Sequence, residues 1–194
     1  MADLFGDPAR IDLSLDSRSI SFENPTGARG AGGKAAGGRK GAPNRRIEAG
    51  EAVVLADIDG PGRIRHIWLT MMRASPEQMR AVVLEVFYDG RTEPSISVPV
   101  LDFFGLPHGR PVAYASALTA VQEGRGFNAY VPMPFARHFK AVLTNHGRSA
   151  INLYYQMDYT LEPVAADAGY LHVLFRRENP TVPKRDFVIA EGLR

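Results

Sequence analysis

From residue 51 onward, short apolar runs alternate with turn residues. Runs rich in valine, isoleucine and aromatics lie at 51–57, 63–72, 81–89, 95–100, 127–131, 138–144, 151–160, 169–176 and 186–190. Each is predicted to be a β-strand, because β-branched and aromatic side chains fit a pleated surface. Turn chemistry separates them at Asp59-Gly60-Pro61-Gly62, Asp89-Gly90 and Asn145-His146-Gly147. Between Asn152 and Tyr159, odd and even positions differ in polarity, the period of a half-buried strand. One helical turn is predicted at Pro76–Arg80, with Ser75 as its N-cap. Many short strands and little helix predict an all-β fold, here a single jelly-roll β-sandwich over 51–194. Trp68, Phe87 and Tyr155 are expected to be at least partly buried. No internal repeat is visible.

Residues 1–50 read differently, as a tail followed by a loop rich in glycine, arginine and lysine. The stretch 27–43 holds seven glycines in seventeen residues and has almost no apolar area to bury.

Composition narrows the classes. Apolar residues make up 45% of the 194, enough for a core without staples. The absence of cysteine excludes disulfides, a cysteine-ligated zinc, an iron–sulfur cluster and a thiol nucleophile. The opening MADLFGDPAR has no basic n-region or apolar h-region, so a cytoplasmic location is expected. No apolar run reaches the roughly 18 residues of a membrane span, so no membrane partner is expected. Net charge is +2, but Arg29, Lys34, Arg39, Lys40, Arg45 and Arg46 lie together without an acid between them. No aromatic interleaves them, so a solvated basic loop is a better reading than a nucleic-acid groove.

Familiar chemistry is mostly missing. Gly-Gly-Lys-Ala-Ala at 32–36 lacks the first glycine and the hydroxyl of a phosphate loop. His66, His108, His138, His146 and His172 have no close metal-ligand spacing, so no metal or cofactor is expected, and His66 reads as an ordinary sheet residue. No G-x-S-x-G elbow occurs. Glu23, Asp102, Glu123 and Glu178 could serve glycosidase chemistry, which needs two nearby carboxylates. Each reads more simply as a cap or an ion-paired acid, and the catalytic residues are unknown. The segments at 21–33 and 126–135 combine turn residues, amides and aromatics, as ligand pockets do, although proline-pinned core strands share that composition.

The segments SFENPTGARGAGG (21–33), GRKGAP (38–43), IRHIWLT (64–70), VFYDGRTEPSISVPVLDFFG (86–105), GFNAYVPMPF (126–135), LYYQMDY (153–159) and FRRENP (175–180) together resemble the domain-of-unknown-function 2961 family. Part of that family is classed as glycoside hydrolase family 172. The resemblance implies a jelly roll, typically one of a tandem pair, like the fold of double jelly-roll viral capsid proteins. It implies homo-oligomers, trimers or multiples of them, and activity on α-D-fructofuranosides or D-arabinofuranosides. The family's two catalytic glutamates sit in tryptophan-glycine-glutamate and threonine-glutamate-aspartate segments. Neither is present, and the only tryptophan is Trp68. Binding without turnover is therefore expected of this chain. On this reading Glu23, Asn24, Arg29, Asp102 and Asn128 meet sugar hydroxyls, and Phe103, Phe104 and Tyr130 wall one furanoside pocket. The competing readings are a stand-alone, capsid-like assembly or sugar-binding module, and a basic-loop module for anionic polymers.

Overall fold

The computed structural model describes residues 11–34, 40–72 and 74–191. The opening decapeptide and residues 35–36 of the glycine-lysine segment lie outside them. In chain order the elements are β1 (Asp16–Ile20), β2 (Arg45–Ile47), β3 (Ala52–Asp59), β4 (Gly62–Met71), α1 (Pro76–Arg80), β5 (Val82–Tyr88) and β6 (Ile96–Pro99). There follow α2 (Val100–Phe103), β7 (Tyr114–Ala115), β8 (Thr119–Gln122), β9 (Gly126–Ala129), β10 (Met133–Phe135), β11 (His138–Asn145) and β12 (Ile151–Leu161). They form two antiparallel sheets packed as a sandwich. The large sheet runs β1-β12-β4-β9-β8-β7, with β2 on β12 and β10 on β4; the small sheet runs β3-β11-β5-β6.

The alternation that predicts strands also builds the core. Val82, Leu84, Val86 and Tyr88 of β5 point inward, as do Phe139, Ala141 and Leu143 of β11. Ile151, Leu153, Tyr155, Met157 and Tyr159 of β12 meet them from the large sheet. Burying a side chain of this size contributes about 1.5–3 kcal/mol, which is why the two-residue period holds over whole strands. Phe135 packs so closely on the β3–β4 turn that a Cβ at Gly60 would stand 2.7 Å from its ring. At the sandwich end, the Ser75 hydroxyl accepts the Gln78 amide at 3.3 Å and caps α1, as predicted.

One break in the period matters for the site. In β4 the buried positions pass from Ile64 to Ile67, and the pairing with β12 shifts between Asp158 and Tyr159. Arg65 is thus an extra residue, a β-bulge that re-aims its neighbours. His66 consequently faces out, opposite Asp158.

Two expectations are corrected. Residues 16–20 and 45–47, read as tail and loop, are strands of the large sheet, and Ile20 and Ile47 are fully buried. Each strand buries one large apolar residue, too few to show a period. Conversely, 169–176 and 186–190 are not strands. Val173 makes a single bridge to Ile96, and 186–190 have no strand partner among the described residues. β-propensity alone does not make a strand of them, because beyond that bridge they pair with no strand among the described residues. The burial expected of three aromatics holds: Tyr155 is buried, and Trp68 and Phe87 are half-buried on the outer faces.

Candidate functional site

Four neighbouring strands of the large sheet contribute one hydrogen-bonded line of side chains to its outer face. Gln156 Nε2 donates to Asp158 Oδ1 at 2.9 Å, and Asp158 Oδ2 lies 3.1 Å from His66 Nδ1. His66 Nε2 lies 3.0 Å from Asn128 Oδ1. Asn128 Nδ2 donates to Gln122 Oε1 at 2.5 Å and to the Gly126 carbonyl at 3.2 Å. Because the Asn128 NH₂ group faces oxygens, its own oxygen must face the histidine. Nε2–H donates to it, and Nδ1 donates to Asp158 when it too carries a proton.

Aromatic rings frame this line. Tyr130 lies parallel over His66, with centroids 4.6 Å apart and planes 6° apart, and remains 41% exposed. The Trp68 indole borders Gly126: a Cβ there would stand 3.5 Å from its Nε1 and 3.2 Å from Gln122 Oε1. Gln122 also lines a groove of about 690 Å³ with Tyr114, Glu123, Arg125 and Gly126. The arrangement presents a flat apolar ring beside fixed donors and acceptors.

The predicted site residues fall into three groups that the fold keeps apart. Asn128 and Tyr130 belong to the outer-face line. Glu23, Asn24 and Arg29 follow β1, on the other side of β12 and β4. Asn24 Nδ2 holds that loop by donating to the Ser19 and Ala28 carbonyls at 3.0 and 3.1 Å. Asn24 Oδ1 and Glu23 Oε1 are buried without a partner among the described residues. Arg29 pairs with Asp16 at 3.0 Å; the Arg18 hydrogen bond, aided by Arg29, holds the Asp16 carboxyl below its ordinary range.

Asp102, Phe103 and Phe104 form the third group, at α2. Burial pushes the Asp102 carboxyl up, and Arg80, at 3.2 Å, partly offsets it. Phe104 is fully buried, 5.9 Å from the inward-facing Phe127 ring. Tyr130 follows β9 on the opposite face, so Phe104 and Tyr130 do not wall one pocket. His66, Asp158 and Gln122 escaped the sequence reading. Only the placement of Gln156 and Asp158 on one strand face was visible. The basic segment is also partly neutralised in the fold: Arg45 pairs with Glu51, and Arg46 with Glu48 at 2.7 Å.

The family model of the GH172 first beta-sandwich domain matches residues 16–164, from the first residue of β1 to just past β12. The chain belongs to this family. Among curated proteins none matches. Among solved structures, this GH172 domain is similar to the infectious bursal disease virus VP2 subviral particle, at 11% identity and a TM-score of 0.38 over 80% of the chain. It is also similar to the STIV MCP, at 15% identity and a TM-score of 0.34 over 78% of the chain. It spans 36% and 50% of those two chains.

Proposed function

We propose that this GH172 β-sandwich recognises a neutral furanoside carbohydrate on the outer face of its large sheet, and binds without hydrolysing it. The observation that carries this reading is the exposed Tyr130 ring, stacked on a histidine that hydrogen bonds hold from both sides. A sugar offers an apolar ring face to such a platform and hydroxyls to the groups around it. Asp158, Asn128 and Gln122 supply acceptors and an amide in fixed positions, so little ordering is lost on binding.

The charges near this face favour a neutral ligand. Arg63 and Arg65 flank Glu162 at 3.0 and 2.5 Å, and Asp158 faces His66. Taken together, the two arginines and the two carboxylates balance in charge. The proposal narrows the predicted contacts to Asn128 and Tyr130, and adds Trp68, Gln122 and Asp158. Asn24 serves the β1 loop instead. The furanoside class follows from the family resemblance, as does the expectation that hydrolysis needs the family's two glutamate segments.

Calorimetric titration with fructofuranoside and arabinofuranoside oligosaccharides tests the reading. Tyr130→Ala is expected to weaken binding about three- to tenfold, the scale of one stacked ring. Undiminished binding by that variant rules out the platform, and release of a chromogenic furanoside by the purified chain rules out the non-catalytic assignment.

A further inference from the structure

The His66 ring meets an accepting oxygen at each of its nitrogens. Asp158 Oδ2 lies 3.1 Å from Nδ1, and Asn128 Oδ1 lies 3.0 Å from Nε2. Neither acceptor becomes a donor by turning. The Asn128 amide nitrogen faces the Gly126 and Ala120 carbonyls at 3.2 and 3.4 Å, so turning the amide would set oxygen against oxygen. Asp158 is a carboxylate, and its other oxygen already accepts from Gln156. A neutral imidazole has one N–H and satisfies only one of these partners. Both bonds form together when the ring carries a second proton. That proton belongs to the ring rather than to the carboxyl, because imidazole is the stronger base.

Charge also decides how firmly Tyr130 stands on this ring. The two centroids are 4.6 Å apart and the planes 6° apart, within cation–π reach of a charged imidazole. The surroundings leave the ring to Asp158. On β4 itself, Arg63 and Arg65 turn to Glu162. β9 offers the neutral Asn128, β12 sets Gln156 beside Asp158, and β1 sets Ser19 opposite Asp158. Among the described residues, Asp158 is the charged group bonded to the ring.

We propose that the second proton on His66 switches the sugar-binding face between a fastened and a loosened form. This inference rests on the carbohydrate reading above and adds its regulation. With the proton, His66 ties β12 to β9 through Asp158 and Asn128, and Tyr130 lies on a charged ring. Without it, one of the two bonds is lost, and Tyr130 loses the charge beneath it. Tight binding therefore belongs to the acid side of the range in which imidazoles change charge, about pH 5 to 8, and is lost as pH rises through it. His66 and Asp158 are both partly open to water, so screening keeps the effect to about three- to tenfold in affinity.

Nitrogen NMR spectra of the imidazole groups read the switch in the free chain. Both His66 ring nitrogens are expected to be protonated at about pH 5.5 and one of them at about pH 8, with the Tyr130 ring signals moving in step. Calorimetric titration with fructofuranoside and arabinofuranoside oligosaccharides at the same two pH values is expected to show the tighter binding in acid. Asp158→Asn supplies an amide that donates to the neutral ring, so the ratio of the two affinities should approach one, whatever the affinity itself. A ring with a single proton at both pH values overturns the switch. So does a sugar affinity that stays constant while His66 titrates, and carbohydrate binding then stands without the switch. Sugar that binds at neither pH removes the carbohydrate reading, and the proposal with it.

Discussion

Asn145→Ala removes a side chain that ties three parts of the sandwich end together. Asn145 is fully buried at the end of β11. Its Nδ2 donates to the carbonyls of Ile47, Glu48 and Ser149 at 3.2, 3.1 and 2.9 Å. Its Oδ1 accepts from Gln78 Nε2 at 3.1 Å and from the Gly147 amide at 3.0 Å. The β2 end, α1 and the β11–β12 turn therefore share one amide. Alanine leaves two or three of these groups without partners in a buried place. At about 1–3 kcal/mol for each unsatisfied group, with some relief from water at the turn, the loss comes to about 3–5 kcal/mol. That is a large fraction of the roughly 5–15 kcal/mol that holds a domain folded. Urea unfolding, followed by far-ultraviolet circular dichroism and Trp68 fluorescence, measures it. The midpoint should fall while the slope stays the same, since the surface exposed on unfolding is unchanged. A loss below about 1 kcal/mol would refute the view that this network closes the sandwich end. Asn145→Asp is the matched control. It puts a carboxylate against three carbonyl oxygens, so its destabilisation should grow above the ordinary carboxylate range and ease in acid.

The remaining predictions concern backbone and pH. Gly27→Ala should cost about 2–4 kcal/mol, because φ is +63° and the new Cβ would lie 2.2 Å from the Tyr159 hydroxyl. Gly30→Ala, with φ +66° and nothing within 4 Å, should cost only about 1–2 kcal/mol; equal losses in thermal unfolding would remove the role given to Tyr159. Burial acts to raise the Asp89 carboxyl, but the Tyr170 hydroxyl and the His138 and Arg137 amides outweigh it and hold the carboxyl below its ordinary range. Its stabilising contribution is present above the unfolded carboxylate range and is lost as pH falls through the native value. Asp89→Asn should therefore flatten the acid loss of stability. Asp102 has the opposite sign, because burial raises it. Its unfavourable contribution develops as pH rises through the carboxylate range, so Asp102→Asn should steepen the acid loss. Urea midpoints between about pH 3 and 7 separate the two, and parallel curves would contradict both assignments.

The sequence by itself determined the sandwich and most of its long strands. Alternation in Val82–Tyr88, His138–Asn145 and Ile151–Leu161 is a local record of which face each residue buries, and burial decides the fold class. The Ser75 cap was legible for the same reason, since its partner is three residues away. Tertiary structure decided what depends on distant partners. β1 and β2 are strands because β12 offers them an edge, and 186–190 pair with no strand among the described residues despite stronger β-propensity. Phe104 and Tyr130 are both aromatics beside turn residues, yet one is core and the other stands over His66. The candidate site joins His66 to residues 62 and 92 positions away, through a bulge at Arg65 that shifts one strand by a single residue. A local pattern shows which residues turn outward; only sheet register determines which outward residues meet.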